Sequence, residues 1–314
     1  MSSVGDPATR QSGIRSLASS INPTAFFTVL IWSAIAPFTK YALEDFPPLV
    51  FMSLRMSIAA VLVFLLLVVR RRAMGIDRAD VPKFLLAGIV LFGLSTVLFT
   101  EGLARTTVAH MIIIASTGPL IGAVWRGLAH REMPDRRSLL AMAVGFAGVL
   151  IVVRDASATD GASITGDLMG LASATLWVGM TVYPQPLVRK YGPLRSTGWI
   201  ILTSLLLIVP LSLQSWGAIA EHVPPPLAWS ALLYAAVGTL IGNTLWQSAV
   251  QQIGPARTLV YLYLQPFLAL LIAAIVLGDR MTPLQAVGGV LAIGGVMLVR
   301  KVVAVPLKDP ADSR

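Results

Sequence analysis

The chain has 314 residues, 56% of them hydrophobic and only 12% charged, with mean hydropathy +0.78, which excludes a water-soluble globular domain. It has no cysteine, which excludes disulfides, thiol chemistry and thiolate metal sites. The formal charge of +9 does not point to nucleic acid, because the basic residues sit in short connections between apolar runs.

Residues 1–22 are polar and lack the apolar core and small-residue cleavage site of a signal peptide, so a disordered tail is expected. Ten apolar runs follow, at 23–42, 49–69, 83–103, 108–128, 138–153, 168–188, 196–215, 228–250, 257–277 and 284–300. Their length suits helices crossing a hydrocarbon core about 30 Å thick, and they lack the alternation of membrane strands. Ten spans put both termini on one side. With that count, 19 of the 24 Lys and Arg residues fall on the terminal side, four on the other, and Arg55 inside a span. The positive-inside bias makes both termini cytoplasmic.

The chain repeats itself. At an offset of 147 positions, Pro119 falls on Pro266, Glu132 on Asp279, Gly148 on Gly295 and Arg154 on Lys301. Upstream the offset is 145, which sets Trp32 on Trp177 and Pro48 on Pro193. The expected organisation is a first repeat at 23–154, an outer linker at 155–167, a second repeat at 168–301 and a cytoplasmic tail at 302–314. Five spans per repeat is odd, so the second copy inserts upside down. Inverted repeats are the signature of a secondary transporter with its site at the repeat interface near the bilayer midplane.

A Trp in the first span, Pro48 seven residues before Arg55, and a fourth span with a central proline ending in an acidic residue before a glycine-rich fifth span resemble EamA-type permeases of the drug/metabolite transporter superfamily. The resemblance covers roughly residues 23 to 301 and rests on the pairs Pro119/Glu132 and Pro266/Asp279; Asp279 departs from the family's usual Glu. It implies an all-α integral membrane fold of ten transmembrane helices in two inverted five-helix repeats. It also implies export of amino acids or other small metabolites across the bacterial inner membrane; relatives carry sugars and nucleotide sugars.

Taken along the chain, Trp32 and Trp177 lie mid-span and are repeat-equivalent, so they form either helix packing or an aromatic cavity wall. Trp125, Trp199, Trp216, Trp229 and Trp246 fall near span ends and read as interfacial belt residues. Asn243 and Gln247 share a helical face, their equivalents are Thr96 and Thr100, and Tyr261 and Gln265 repeat the spacing; these polar stripes either line the cavity or bond between helices. Pro119 and Pro266 each free a backbone carbonyl and kink their spans. Arg55 either snorkels to headgroups, or Arg55 or Lys40 pairs with Glu101 as an outer gate or holds a substrate carboxylate. Glu101 and His110 are the candidates near the membrane for proton coupling, with exchange and facilitated transport as alternatives. The glycines Gly145, Gly148, Gly288, Gly289, Gly294 and Gly295 stack the two repeats or build a homodimer, while Gly238 and Gly242 allow close packing.

The expected partners are therefore a small-molecule substrate and the lipid bilayer, with no nucleic acid, cofactor or metal. The scarcity of charge at depth favours amino acids, with amphipathic drugs, sugars or nucleosides as alternatives, over multiply anionic solutes. A lipid-modifying enzyme would need a nucleophile, a carboxylate–His cluster or a metal set at one interface, and none is evident. A channel would need a continuous polar pathway and gives no reason for inverted repeats.

Overall fold

The computed structural model describes residues 21–106, 108–130, 136–154, 163–221, 223–277 and 283–302. The two tails, most of the linker, Glu132, Asp279 and His222 lie outside these residues. Among the described residues every regular element is helical.

Helices α1 (Pro23–Ala42), α2 (Pro48–Val69) and α3 (Arg78–Arg105) form the first three spans. The fourth is broken into α4 (Val108–Ala115) and α5 (Gly118–His130), and α6 (Arg136–Arg154) is the fifth. In the second repeat, α7 (Ile164–Val182) and α8 (Gln185–Tyr191) share the sixth span. Then come α9 (Pro193–Ser212), a short α10 (Gly217–Glu221) and α11 (Pro226–Ile253). The ninth span is α12 (Pro255–Val260), a 3-10 turn at Tyr261–Tyr263 and α13 (Leu264–Leu277); α14 (Pro283–Val302) is the tenth. Among the described residues, α1, α2, α3, α9 and α11 are the single helices long and apolar enough to cross a membrane unaided. Proline explains several of the interruptions, since each one within a span removes a backbone donor.

Proline also starts helices, because its missing N–H is no loss in the first turn. Pro23, Pro48, Pro193, Pro226 and Pro255 each stand at a helix start. In α1 the Asn22 side chain completes the start by accepting from the Ala25 N–H at 2.9 Å. Gly192 and Gly254, at φ +82° and +81°, precede Pro193 and Pro255 and allow the reversals from α8 to α9 and from α11 to α12.

The principal helix contacts join one repeat to the other. Helix α1 packs on α11, α3 on α7, α2 on α9 and α6 on α14. In span numbers these are one with eight, three with six, two with seven and five with ten. Exchanging the repeats maps the first two pairings onto each other and each of the others onto itself. That is the pattern of two inverted five-helix repeats interlocked about one pseudo-two-fold axis. Small residues set the approach: a Cβ on Gly295 would meet the Gly145 backbone at 2.5 Å, and one on Gly102 the Gly166 carbonyl at 2.9 Å. Of the glycines expected to stack the repeats or build a homodimer, Gly145 and Gly295 stack the repeats, Gly289 packs on Phe267 of its own repeat and Gly294 meets nothing within 4 Å. The exterior carries Phe27, Val61, Leu65, Leu206, Leu233 and Val290 exposed, a girdle suited to lipid.

The two ends of the bundle differ. At the end bearing Arg70–Arg72, Lys83, Lys190 and Arg195, hereafter the basic end, the repeats are tied by an ionic cluster. Asp80, 4% exposed, accepts from Lys190 at 2.6 Å, Lys83 at 2.8 Å and the Tyr191 hydroxyl at 2.8 Å. Lys190 also pairs with Asp77, and Lys190 and Arg195 lie 5.1 and 4.9 Å from the Tyr191 ring centre. Hydrogen bonds from Lys190, Lys83 and Tyr191 hold the Asp80 carboxyl well below the usual carboxylate range. Asn22 adds a second tie, its N–H on the Tyr261 hydroxyl at 2.7 Å and its side-chain amide on Gln252 at 2.8 Å. At the far end, Lys40 donates to the carbonyls of Leu103 and Thr106, at 2.7 and 3.0 Å, and the Thr106 hydroxyl bonds Asp167 at 2.8 Å.

Candidate functional site

Three tryptophans meet in the middle of the bundle. Trp32 on α1 stands edge-on to Trp177 on α7, with ring centres 5.2 Å apart, and Trp246 on α11 lies 5.1 Å from Trp32 and 6.2 Å from Trp177. Gly242 makes this possible: a Cβ there would run into the Trp32 indole nitrogen. Trp246 is fully buried, with its indole N–H on the Thr181 hydroxyl at 3.1 Å. The expectation of a belt residue at 246 is therefore corrected. Helix α11 continues to Ile253, seven residues beyond, which sets the indole about 10 Å inside the helix end. Trp125, Trp216 and Trp229 are exposed, as belt residues should be.

On the far-end side of this cluster lies a cavity of about 130 Å³. Its lining follows the repeat. Trp32 and Trp177, Thr96 and Asn243, Ala115 and Leu262, and Gly118 and Gln265 are all repeat-equivalent pairs, and both members of each face the cavity. These pairs bring the cavity up to the pseudo-two-fold axis, while Met52, Arg55, Phe92, Phe99 and Met111, whose equivalents do not line it, extend it to one side. Ala115 and Leu262 are also the residues four positions before Pro119 and Pro266, whose carbonyls the prolines leave without an intrahelical donor. Around Pro119 the chain breaks between α4 and α5, with the Thr117 hydroxyl on the Ile114 carbonyl at 2.6 Å. Before Pro266 it narrows to the 3-10 turn. The α-helix is thus interrupted just before each proline, and both interruptions border the same space.

The polar groups are few. Asn243 donates to the Thr239 carbonyl at 2.8 Å, and its side-chain oxygen is buried without a hydrogen-bond partner among the described residues. Gln265, another lining residue, accepts from the Ser33 hydroxyl at its backbone carbonyl at 3.3 Å. Thr96 turns its hydroxyl back on the carbonyls of Phe92 and Gly93, at 2.8 and 2.9 Å. Ser95 and Ser173, which the sequence did not single out, bond reciprocally across the α3–α7 contact: each hydroxyl reaches the other's carbonyl, at 3.0 and 2.8 Å. Apolar surface from Met52, Phe92, Phe99 and Met111 completes much of the wall.

Arg55 is 8% exposed and also faces the cavity, rather than extending to headgroups. Its Nε donates to the Thr239 hydroxyl at 2.7 Å, and no carboxylate among the described residues forms an ion pair with it.

The other expected site residues lie elsewhere. Gln247 accepts from Gln185 at 2.9 Å, in the packing toward the basic end, and Tyr261 is fully buried against Asn22. Thr100 is buried off the cavity, with its hydroxyl unpartnered among the described residues. Residues four apart share a face but stand about 6 Å apart along the axis, so over a cavity this small one lines it and the other lies beyond it. Glu101 pairs with Arg105 one turn on and Lys40 with backbone carbonyls, so the outer gate of Arg55 or Lys40 with Glu101 is not formed in this structure. His110 falls within α4, and its side chain lies outside the described residues.

Comparison with known proteins fits this architecture. The EamA-like transporter family matches residues 20–154 and again 164–301. The uncharacterized transporter YdeK of Bacillus subtilis is 32% identical over 261 residues, covering 81% of this chain and 88% of its own. The probable terminal-alkyne amino-acid exporter of Streptantibioticus cattleyicolor is 23% identical, covering 87% and 91%. A solved crystal structure shares the fold at a TM-score of 0.72 and 17% identity, covering 88% of this chain and 95% of that one. With both of its halves matching the family's repeat unit, the chain belongs to the EamA-like transporter family, multi-pass membrane proteins.

Proposed function

We propose that the protein is a secondary transporter exporting amino acids or related small amphipathic solutes across a bacterial inner membrane, with the two repeats rocking about the central cavity. The observation that carries this reading is the cavity bordered by four repeat-equivalent pairs, because a site at the interface of inverted halves keeps those walls when the halves exchange roles. The lining combines indole and phenyl surface with a few amides and hydroxyls, which suits a solute with an apolar body and one polar end. A relative named as an amino-acid exporter supports the same solute class. The excess of Lys and Arg at the basic end supports a cytoplasmic position for that end and both termini.

The test is thermal shift of the purified protein across amino acids, sugars, nucleosides and cationic drugs, with Trp32→Ala and Asn243→Ala alongside. A ligand that binds only the folded state stabilises it by about 2.7 kcal/mol at one hundred times its Kd. The expected result is a shift with amino acids that both variants lose. A ligand that shifts all three proteins equally removes the cavity from the mechanism.

A further inference from the structure

A guanidinium at membrane depth costs about 3 kcal/mol on insertion scales, and five N–H donors must be satisfied. Arg55 spends one of them on Thr239. The fold itself does not ask for a cation at this place, because the repeat-equivalent position holds Ile200, 1% exposed. The difference between the two copies lies at the cavity wall, where Arg55 faces the same space as Asn243, whose side-chain oxygen is buried beside it without a partner among the described residues.

We propose that Arg55 is the charge-selecting residue of the cavity. It takes the carboxylate of a monocarboxylic acid whose adjacent N–H or O–H donates to Asn243 Oδ1, while the apolar body lies against Met52, Phe92 and Phe99. This rests on the transport reading above and names its solute class. A single carboxylate balances the single cation of the described lining. A dianion leaves excess negative charge in an apolar wall, and an amine without a carboxylate leaves two cations with no anion between them. The guanidinium fork matches a carboxylate geometrically, which an ammonium would not.

The test uses four probes of one shape, followed by tryptophan fluorescence and thermal shift of the full chain in detergent. They are leucine, 4-methylpentanoate (no amine), leucinamide (no carboxylate) and isoamylamine (neither acid nor amide). Leucine and 4-methylpentanoate should bind, leucine more tightly by up to about tenfold for its extra hydrogen bond. Leucinamide and isoamylamine should not. Arg55→Gln should weaken both acids on the order of 10- to 100-fold, with Arg55→Lys between it and the wild type. Asn243→Ala should bring leucine down to 4-methylpentanoate. If Arg55→Gln fails to fold, Thr239→Val keeps the charge while releasing its anchor, and it should weaken the acids selectively. The proposal is overturned if neither acid binds, if amide or amine binds as well as acid, or if acid affinity ignores Arg55 and Thr239. Binding that ignores the carboxylate yet disappears in Trp32→Ala overturns this proposal alone. Binding that no cavity variant changes overturns the transport site as well.

Discussion

The two walls of the cavity were built from one plan and now differ. Trp32 and Trp177 remain tryptophan in both copies, and the prolines that free the Ala115 and Leu262 carbonyls are both present. Against these stand Thr96 opposite Asn243, Gly118 opposite Gln265, and Arg55 on the wall where its equivalent Ile200 is buried in core packing away from it. What is kept shapes backbone and volume, which inverted halves need in common. What has diverged is hydrogen bonding and charge, which a single asymmetric solute needs on one side only. The difference separates the parts that make a cavity from the parts that choose its occupant.

That separation can be broken at the shared scaffold first. Gly295→Ala places a methyl against the backbone of α6, which cannot rotate away, so the last helices of the two repeats must part. Destabilisation of about 1–3 kcal/mol is expected, toward the top of that range, and is checked by thermal unfolding in detergent. Gly242→Ala meets an indole instead of backbone, and a side chain can yield. Its cost should fall at the lower end of the same range, with a change in tryptophan emission that Gly295→Ala lacks.

The smallest effect is expected at the basic end, where Asp80 and Lys190 tie the repeats. The folded carboxyl of Asp80 titrates below its unfolded value of about 3.9, so its contribution is present above that pH and is lost as the medium is acidified through the folded pKa. Asp80→Asn should lower the melting temperature at neutral pH and flatten its fall in acid. An unchanged acid profile would show that the cluster does not join the halves.

Much of this was legible in the sequence because period and duplication are strong signals. Ten apolar runs gave the helices, and the offset of 147 gave the pairs Thr96/Asn243 and Pro119/Pro266 before any coordinate. Depth was legible, but direction was less so. Gln247 and Tyr261 sit at plausible depth and point into packing, since a polar stripe satisfied by Gln185 or Asn22 looks the same in sequence as one facing a cavity. Trp246 was misplaced because its helix runs further than its apolar stretch; its repeat partner Phe99, also aromatic, was the available clue. Asp80 and Lys190 are 110 positions apart, and no periodicity links them.

Helix α3 winds as a π-helix over Leu86–Leu94, whereas the matching stretch of the second repeat, 233–241, lies in the uninterrupted α-helix α11. Each π-helical residue turns the chain through a smaller angle, so the two ends of α3 share an axis without sharing a phase. Before and within this stretch, Gly88 lies hard against Thr203 and Ile200 of α9; after it, Ser95, Thr96 and Phe99 face the cavity. The lining segment of α3 is thereby uncoupled in register from its packing segment, and substitutions can accumulate in one without rotating the other.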